Sequence, residues 1–81
     1  MRIPRQISGA EVVRALRVLG YQCVRQEGSH RRLTTEINGT HHVTVPHHKP
    51  LKVGTLLGGV LKPVAAHHRL TVEELLVKLG L

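Results

Sequence analysis

Aromatic side chains are nearly absent from this 81-residue chain, which has one tyrosine and no phenylalanine or tryptophan. A hydrophobic core must therefore be built from valine, leucine, isoleucine and alanine. The scarcity of rings argues against folds that stack bases on aromatic platforms, such as RNA-recognition sheets and oligonucleotide-binding barrels. The hydrophobic share of 41% is ordinary for a globular protein, so intrinsic disorder is not expected.

Cysteine and long apolar runs are also lacking. Cys23 is the single cysteine, so the chain can form neither an intramolecular disulfide nor a thiolate metal cluster. No stretch approaches the roughly 18 apolar residues of a membrane-spanning helix. The basic N-terminus is not followed by the apolar run of a signal peptide. We therefore expect a cytoplasmic protein without a membrane partner, forming one domain over residues 1–81.

Acidic residues are the third scarce class, with five against twelve lysines and arginines, which gives a formal net charge of +7. This excess on a small surface favours a polyanionic partner, because the like charges otherwise only repel each other. A nucleic acid fits better than a membrane surface, since no basic amphipathic helix is evident. Seven histidines can add positive charge as the pH falls toward about 6.

A first helix is predicted by signals at both of its ends. Ser8 and Glu11 have the spacing of a capping box, in which each side chain satisfies a backbone donor of the other residue. Apolar residues then recur on one helical face until Gly20, which suits a left-handed C-terminal cap. The pattern predicts a helix over residues 9–19.

The C-terminal half contains two further helical patterns. Thr55 is expected to cap a short helix through about Leu61, which Pro63 ends or bends. Residues 64–70 are expected to form a linker. Thr71–Glu74 repeats the capping-box spacing and predicts a final helix with one apolar side.

Three β-prone stretches, residues 21–26, 30–37 and 41–45, lie between the first helix and the C-terminal half. Asn38–Gly39 is the strongest hairpin signal in the sequence. A strict two-residue loop would make the adjoining strands disagree about which face is buried. We therefore favour a three-residue loop over residues 38–40, which aligns the buried faces.

This register predicts the neighbours of each strand residue and the fold class. The predicted partners are Leu33 with Val45, Thr35 with Val43, Ile37 with His41, His30 with His48, Arg32 with Pro46, Thr34 with Thr44, and Glu36 with His42. Cys23 is expected to be a small buried hydrophobe. The order of helix, three-stranded antiparallel sheet and helix, with an appended C-terminal helix, indicates an α+β fold with helices on one face of the sheet.

The turn between the first two strands has the composition of a phosphate-reacting site. Gly28 permits close approach of a phosphate to the backbone, Ser29 can donate a hydrogen bond, and His30 can transfer a proton near neutral pH. RNA cleavage needs a base that accepts the 2′-hydroxyl proton and cations that stabilise the phosphate. The cations expected around this turn are Arg25, Arg31 and Arg32. An ordinary surface histidine is the competing interpretation of His30.

A second basic segment follows the third strand. Lys49, Lys52 and Lys62 lie near the predicted helix start at Thr55, and a helix N-terminus favours phosphate. His48 is predicted beside the catalytic candidate, as a second proton carrier, a phosphate contact or a plain surface residue.

The paired histidines raise the question of a metal site. Adjacent residues on a strand point to opposite faces, so only some of the imidazoles at residues 41–42 and 47–48 can converge. No cysteine or acidic ligand supports them, and we expect neither a metal nor another cofactor. His41 is expected at the rim of the fold, and residues 67–68 in a solvated linker. Arg14 and Arg17 are expected on the solvated face of the first helix.

Several segments taken together resemble the HicA toxin family in order and spacing over about residues 8–62. These segments are residues 8–12, 20–21, 25–30, 43–48 and 51–56, of which 28–30 and 54–56 are the most diagnostic. The resemblance implies a fold like the double-stranded-RNA-binding domain and metal-independent cleavage of mRNA. It also implies a HicB-type antitoxin as partner in a hetero-oligomer, and a catalytic role for His30. Residues 63–81 form a C-terminal extension in this interpretation.

Two features depart from the family pattern, and two other functions stay open. The bridge over residues 63–70 is longer than usual, and Gly58–Gly59 replaces more helical residues. The alternative function is a non-catalytic module that binds double-stranded RNA. A third interpretation is a protein that mainly binds an acidic protein partner. Degradation of mRNA on expression distinguishes the nuclease from both.

Overall fold

One helix, a three-stranded antiparallel sheet and two further helices follow each other in the computed structural model, which describes residues 3–81. The three strands lie in the sheet in the order in which they occur along the chain. The elements are α1 (Gly9–Leu16), β1 (Gln22–Glu27), β2 (His30–Thr35), β3 (His41–Pro46), α2 (Lys62–His67) and α3 (Val72–Leu79). The predicted α+β class is confirmed, with the element order expected of a fold like the double-stranded-RNA-binding domain.

The signals at the ends of α1 act as the sequence predicts. The Ser8 hydroxyl accepts a hydrogen bond from the Glu11 backbone at 3.1 Å, and the Glu11 carboxylate accepts one from the Ser8 backbone at 3.3 Å. A 3₁₀ turn, Arg17–Leu19, continues the helix to Gly20, whose φ of 81° is the left-handed conformation that suits glycine. The predicted helical range of residues 9–19 is confirmed.

The hydrophobic core lies between one face of the sheet and the helices. It contains no aromatic ring except Tyr21, as the composition requires. Leu33, Val43 and Val45 contribute the sheet side of this core. The helical side comes from Val12, Val13, Leu16, Leu56, Val60, Leu61, Val64, Leu75, Leu76 and Leu79. The capping box at Thr71 and the apolar face of α3 are therefore confirmed.

The loop between β2 and β3 is longer than the sequence predicts. Residues 36–40 connect the strands, so Leu33 pairs with Val43 and not with Val45. The strand ends early because the Thr35 hydroxyl accepts a hydrogen bond from the Ile37 backbone at 3.2 Å and turns the chain out of the ladder. Ile37 is consequently exposed and makes no cross-strand pair.

The register shift is two residues, so every strand side chain keeps its predicted face while its partner changes. His30 lies opposite Pro46, which corrects the predicted pairing with His48. The other corrected pairs are Arg32 with Thr44, Thr34 with His42, and Thr35 with His41.

The segment after β3 differs more from the prediction. Thr55 makes no side-chain cap, because residues 53–54 are already helical. A π-helical stretch, Thr55–Leu61, runs directly into α2 and through Pro63, and the wider turn relieves the clash of a proline ring with the preceding carbonyl groups. The predicted linker over residues 64–70 is therefore wrong in its first half, which is helical to His67.

Strand β1 forms an uncovered edge of the sheet. All six of its residues are exposed, and the register shifts between Cys23 and Arg25, which leaves Val24 as an extra residue in a bulge. The prediction that Cys23 is buried is wrong because no helix covers this edge. Within residues 3–81, no helix has the length and apolar content to cross a membrane.

Candidate functional site

A two-residue turn places His30 at the first position of β2. Glu27 pairs directly with His30, so Gly28 and Ser29 alone form the connection between β1 and β2. Gly28 has a φ of 55°, as the first central position of a type II′ turn requires. The glycine is therefore needed for the turn geometry, and His30 is exposed beside it.

Five side chains line a shallow depression of about 360 Å³ on the outer face of the sheet. They are Arg25, Glu27, His30, Arg32 and Thr44. Cross-strand pairing explains their convergence, since Arg32 is the partner of both Arg25 and Thr44. We call this set the outer-face site.

Two members of the outer-face site escaped the sequence prediction. Glu27 forms an ion pair with Arg25. Thr44 is brought next to Arg32 by the corrected register. The sequence signal for Glu27 was its position directly before the Gly28–Ser29 turn. Thr44 could be placed beside Arg32 only with the correct length of the loop between β2 and β3.

Arg31 does not join the outer-face site. It pairs with Gln26 and Val45, and the alternation of the strand directs its side chain toward the helix side of the sheet. Its Nε atom is buried without a hydrogen-bond partner. Of the three arginines predicted around His30, the structure therefore brings together Arg25 and Arg32.

The loop after β3 is fastened beside the Gly28–Ser29 turn by backbone hydrogen bonds. The His47 N–H donates to the Ser29 carbonyl, and the His48 carbonyl accepts from the Gly9 N–H at 2.9 Å. Further along, the Leu51 N–H donates to the Ile7 carbonyl at 2.7 Å. The exposed side chains of His48, Lys49 and Lys52 thus lie at the same end of the sheet as His30, although none lines the depression.

The start of α1 approaches this loop so closely that only glycine fits. A Cβ atom on Gly9 would collide with the Pro46 carbonyl oxygen, and would lie 3.1 Å from the His47 Cα atom. The helix thereby holds the end of β3, and with it the His47–Lys52 segment, in a fixed position.

Three other histidines form a cluster with Tyr21 at the opposite end of the sheet. The Tyr21 hydroxyl lies 2.7 Å from His41 Nδ1 and 3.1 Å from His68 Nε2. The rings of His41 and His67 stack, with centroids 4.4 Å apart. His41 is half-buried at the first position of β3, which agrees with the predicted rim position. The prediction that His67 and His68 are solvated is corrected, since His68 is buried and His67 is half-buried.

Burial changes the acidity of this cluster. It lowers the pKa of His41 and His68 below the usual value, and the neighbouring His67 lowers both further. Burial also raises the pKa of Tyr21 to about 12. Burial therefore favours the neutral form of His41 and His68, the opposite of what a phosphate-binding histidine needs.

His42 is the remaining histidine of the sheet, and it lies on the outer face. Its Nδ1 atom is 2.7 Å from the Thr34 hydroxyl. Nowhere in residues 3–81 do three or more histidine, cysteine or acidic side chains come together as a metal-binding group.

Comparison with known proteins adds one match. A family model described as "HicA toxin of bacterial toxin-antitoxin" matches residues 9–62, which is two thirds of the chain and includes the whole sheet. No curated protein and no solved structure matches the chain.

Proposed function

The chain belongs to the HicA toxin family of bacterial toxin–antitoxin systems, and on that premise we propose that it is an endoribonuclease that cleaves mRNA with His30 as its catalytic residue. The observation that supports the proposal best is the outer-face site. It combines an accessible imidazole with two arginines on the same sheet face. That combination suits attack on a phosphodiester.

The reaction requires only groups that this face supplies. One ring nitrogen of His30 accepts the 2′-hydroxyl proton, and the 2′-oxygen attacks the adjacent phosphorus. The bond from phosphorus to the 5′-oxygen breaks, the oxygen leaves with the electron pair, and water protonates it. The products are a 2′,3′-cyclic phosphate and a 5′-hydroxyl end. Arg25 and Arg32 stabilise the additional negative charge on the phosphate oxygens.

Cleavage is proposed to need no metal ion, because His30 itself provides the base. The test is incubation of the purified protein with a labelled RNA in excess EDTA, followed by analysis of the product ends. We expect cleavage to continue and to yield cyclic-phosphate or 3′-phosphate ends. Loss of cleavage on chelation with recovery on adding zinc or manganese, or 3′-hydroxyl ends, would contradict the mechanism. Binding of RNA without any cleavage would support the alternative of a non-catalytic binder.

The same surface is the proposed docking site of the antitoxin that the family implies. His30, Arg32, Lys49 and Lys52 are exposed at one basic end of the molecule, and no helix within residues 3–81 covers the sheet there. An acidic antitoxin bound at this end competes with RNA for the positive charges and shields the base. Toxin and antitoxin then form an inactive hetero-oligomer.

Amide-exchange mapping of the toxin–antitoxin complex tests this docking site. We expect protection in residues 28–32 and 47–52, and loss of His30 modification by diethyl pyrocarbonate. Protection confined to the helix face around Arg14 and Arg17, with His30 still reactive, would rule out direct occlusion.

A further inference from the structure

The cluster of Tyr21, His41, His67 and His68 joins two parts of the chain. Tyr21 and His41 belong to the part that matches the family, whereas His67 and His68 lie in the C-terminal part that the match does not include. His67 also reaches the hairpin loop, where its Nε2 atom lies 2.9 Å from the Ile37 carbonyl oxygen and 3.0 Å from that of Gly39. Imidazole rings thus add polar contacts between the end of α2 and the sheet to the apolar contacts that Val64 and Ala65 make in the core.

The two hydrogen bonds of the Tyr21 hydroxyl depend on a neutral ring at His41 or His68. The Tyr21 hydroxyl has one proton, so it donates to one of His41 and His68 and accepts from the other. The imidazole that accepts must be unprotonated at that nitrogen. His67 can only donate to its two carbonyl partners, which fixes a proton on Nε2. Full protonation of His41 and His68 would turn both into donors and leave the Tyr21 proton without an acceptor.

The surroundings offer no negative charge that compensates a protonated ring. His42, the next residue of β3, lies close enough to His41 to disfavour its protonation, Lys78 of α3 does the same for His68, and His67 does so for both. Among residues 3–81, no carboxylate forms an ion pair with any of these rings. Each added proton therefore places a positive charge beside other positive groups in a partly buried site.

We propose that Tyr21, His41, His67 and His68 form an acid-sensitive latch, which holds the end of α2, and through it α3, in place while His41 and His68 are neutral. Protonation of His41 and His68 releases the end of α2 from Tyr21 and the sheet. The segment that depends on the latch is residues 64–81. The turn at His68 joins α2 to α3, and the Leu70 N–H closes it by donating a hydrogen bond to the Ala65 carbonyl at 2.8 Å.

The direction of the pH effect follows from the shifts. His41 and His68 have a lower pKa in the folded chain than the ordinary 6.5 that the unfolded chain retains. Between these values the unfolded or opened state binds more protons, so the stability rises with pH. The stabilisation is complete above about 6.5 and is lost as the pH falls through that value toward the folded pKa values.

Amide exchange of the wild-type chain at pH 7.5 and 5.5, corrected for intrinsic rates, tests the latch directly. We expect the protection factors of residues 64–81 to fall at least tenfold more than those of β2. In parallel, the ring protons of His41 and His68 should titrate below 6.5 by NMR. An equal fall in protection along the whole chain, or ordinary titration of all seven histidines, would overturn the proposal.

Variants separate the latch from general acid sensitivity. His41→Asn and His68→Gln keep a neutral hydrogen-bonding atom near the Nδ1 and Nε2 positions, and together they should reduce the loss of urea midpoint between pH 7.5 and 5.5. His47→Gln removes an exposed histidine outside the cluster and should leave that loss unchanged. If the urea midpoint of the double variant falls as much as that of wild type between pH 7.5 and 5.5, the latch proposal is overturned. If the double variant does not fold, the exchange and NMR results on the wild type decide.

Discussion

The two ends of the sheet use histidine in opposite ways. His30 is exposed at the end of the sheet that carries the Gly28–Ser29 turn, in a depression that it shares with two arginines and Glu27. His41, His67 and His68 lie at the other end, about 17 Å along β2 at roughly 3.4 Å per residue, where they hydrogen-bond with Tyr21 or with loop carbonyl groups. One end leaves its imidazole free to react, and the other uses imidazoles as neutral structural groups.

This contrast shows that residue type alone does not assign a role. An imidazole that is surrounded by cations and open to water suits proton transfer on a phosphate. An imidazole that shares a tyrosine hydroxyl and stacks on another ring stabilises the fold. The local geometry therefore separates His30, for which we propose a catalytic role, from His41, His67 and His68, which make structural contacts.

The largest expected effect is on catalysis at the exposed end. His30→Ala should lower the RNA cleavage rate by roughly a hundredfold to ten-thousandfold, because it removes the proposed general base. The free energy of unfolding should change by no more than about 0.5 kcal/mol, since the side chain is exposed. A cleavage assay and a thermal melt at pH 7.5 measure the two effects, with His47→Ala as the matched control for loss of an exposed imidazole. Retained cleavage by His30→Ala would contradict the proposed catalytic role of His30.

The reverse pattern is expected at the buried end. His68→Ala should destabilise the chain by about 1–3 kcal/mol, because a buried hydrogen bond to Tyr21 is lost. The cleavage rate of the folded fraction should stay near that of wild type. Urea unfolding at pH 7.5 measures the free energy of unfolding, and a cleavage assay at low urea concentration measures the cleavage rate. A stable but inactive His68→Ala variant would contradict the structural role of this histidine.

A glycine pair tests how firmly the exposed end is held. Gly9→Ala should destabilise the chain by about 1–3 kcal/mol, because its methyl group collides with the Pro46 carbonyl. Gly58→Ala is the control: no atom outside the local helix backbone lies within 4 Å of the added carbon, and alanine favours the helix by up to about 1 kcal/mol. Equal effects of the two substitutions on unfolding would show that α1 does not fix the end of β3.

The smallest expected effect concerns the charges next to the outer-face site. RNA affinity should fall steeply with salt, because contacts of lysine and arginine with phosphates release counterions. Lys52→Ala should lower the slope of log affinity against log salt by about one unit or less, and Lys78→Ala, on α3, should not change it. A wild-type slope near zero would assign the +7 charge to a protein partner.

The helices with local signals were predictable from the sequence, because a capping box and a periodic apolar face are encoded within a few residues. Both capping boxes are present, at Ser8 and at Thr71. The faces of β2 and β3 were also predictable, since alternation fixes them whatever the loop length. The cross-strand partners of β2 and β3 were not predictable, because the Thr35 hydroxyl ends β2 early and lengthens the loop by two residues.

The errors lie where tertiary packing overrides local pattern. Pro63 usually ends a helix, but a π-helical turn before it lets the helix continue. His67 and His68 look like solvated linker residues until the hairpin loop and Tyr21 meet them. For the site, the Gly28–Ser29–His30 turn was visible in the sequence, whereas Glu27 and Thr44 depended on strand pairing.

The most direct test of the central claim is inducible expression of wild type and His30→Ala in bacteria without the antitoxin, with mRNA integrity and growth followed together. We expect the wild type to degrade mRNA and arrest growth, and His30→Ala to accumulate as a folded protein that leaves both unchanged. Degradation of mRNA by folded His30→Ala, or intact mRNA during arrest by the wild type, would contradict this claim.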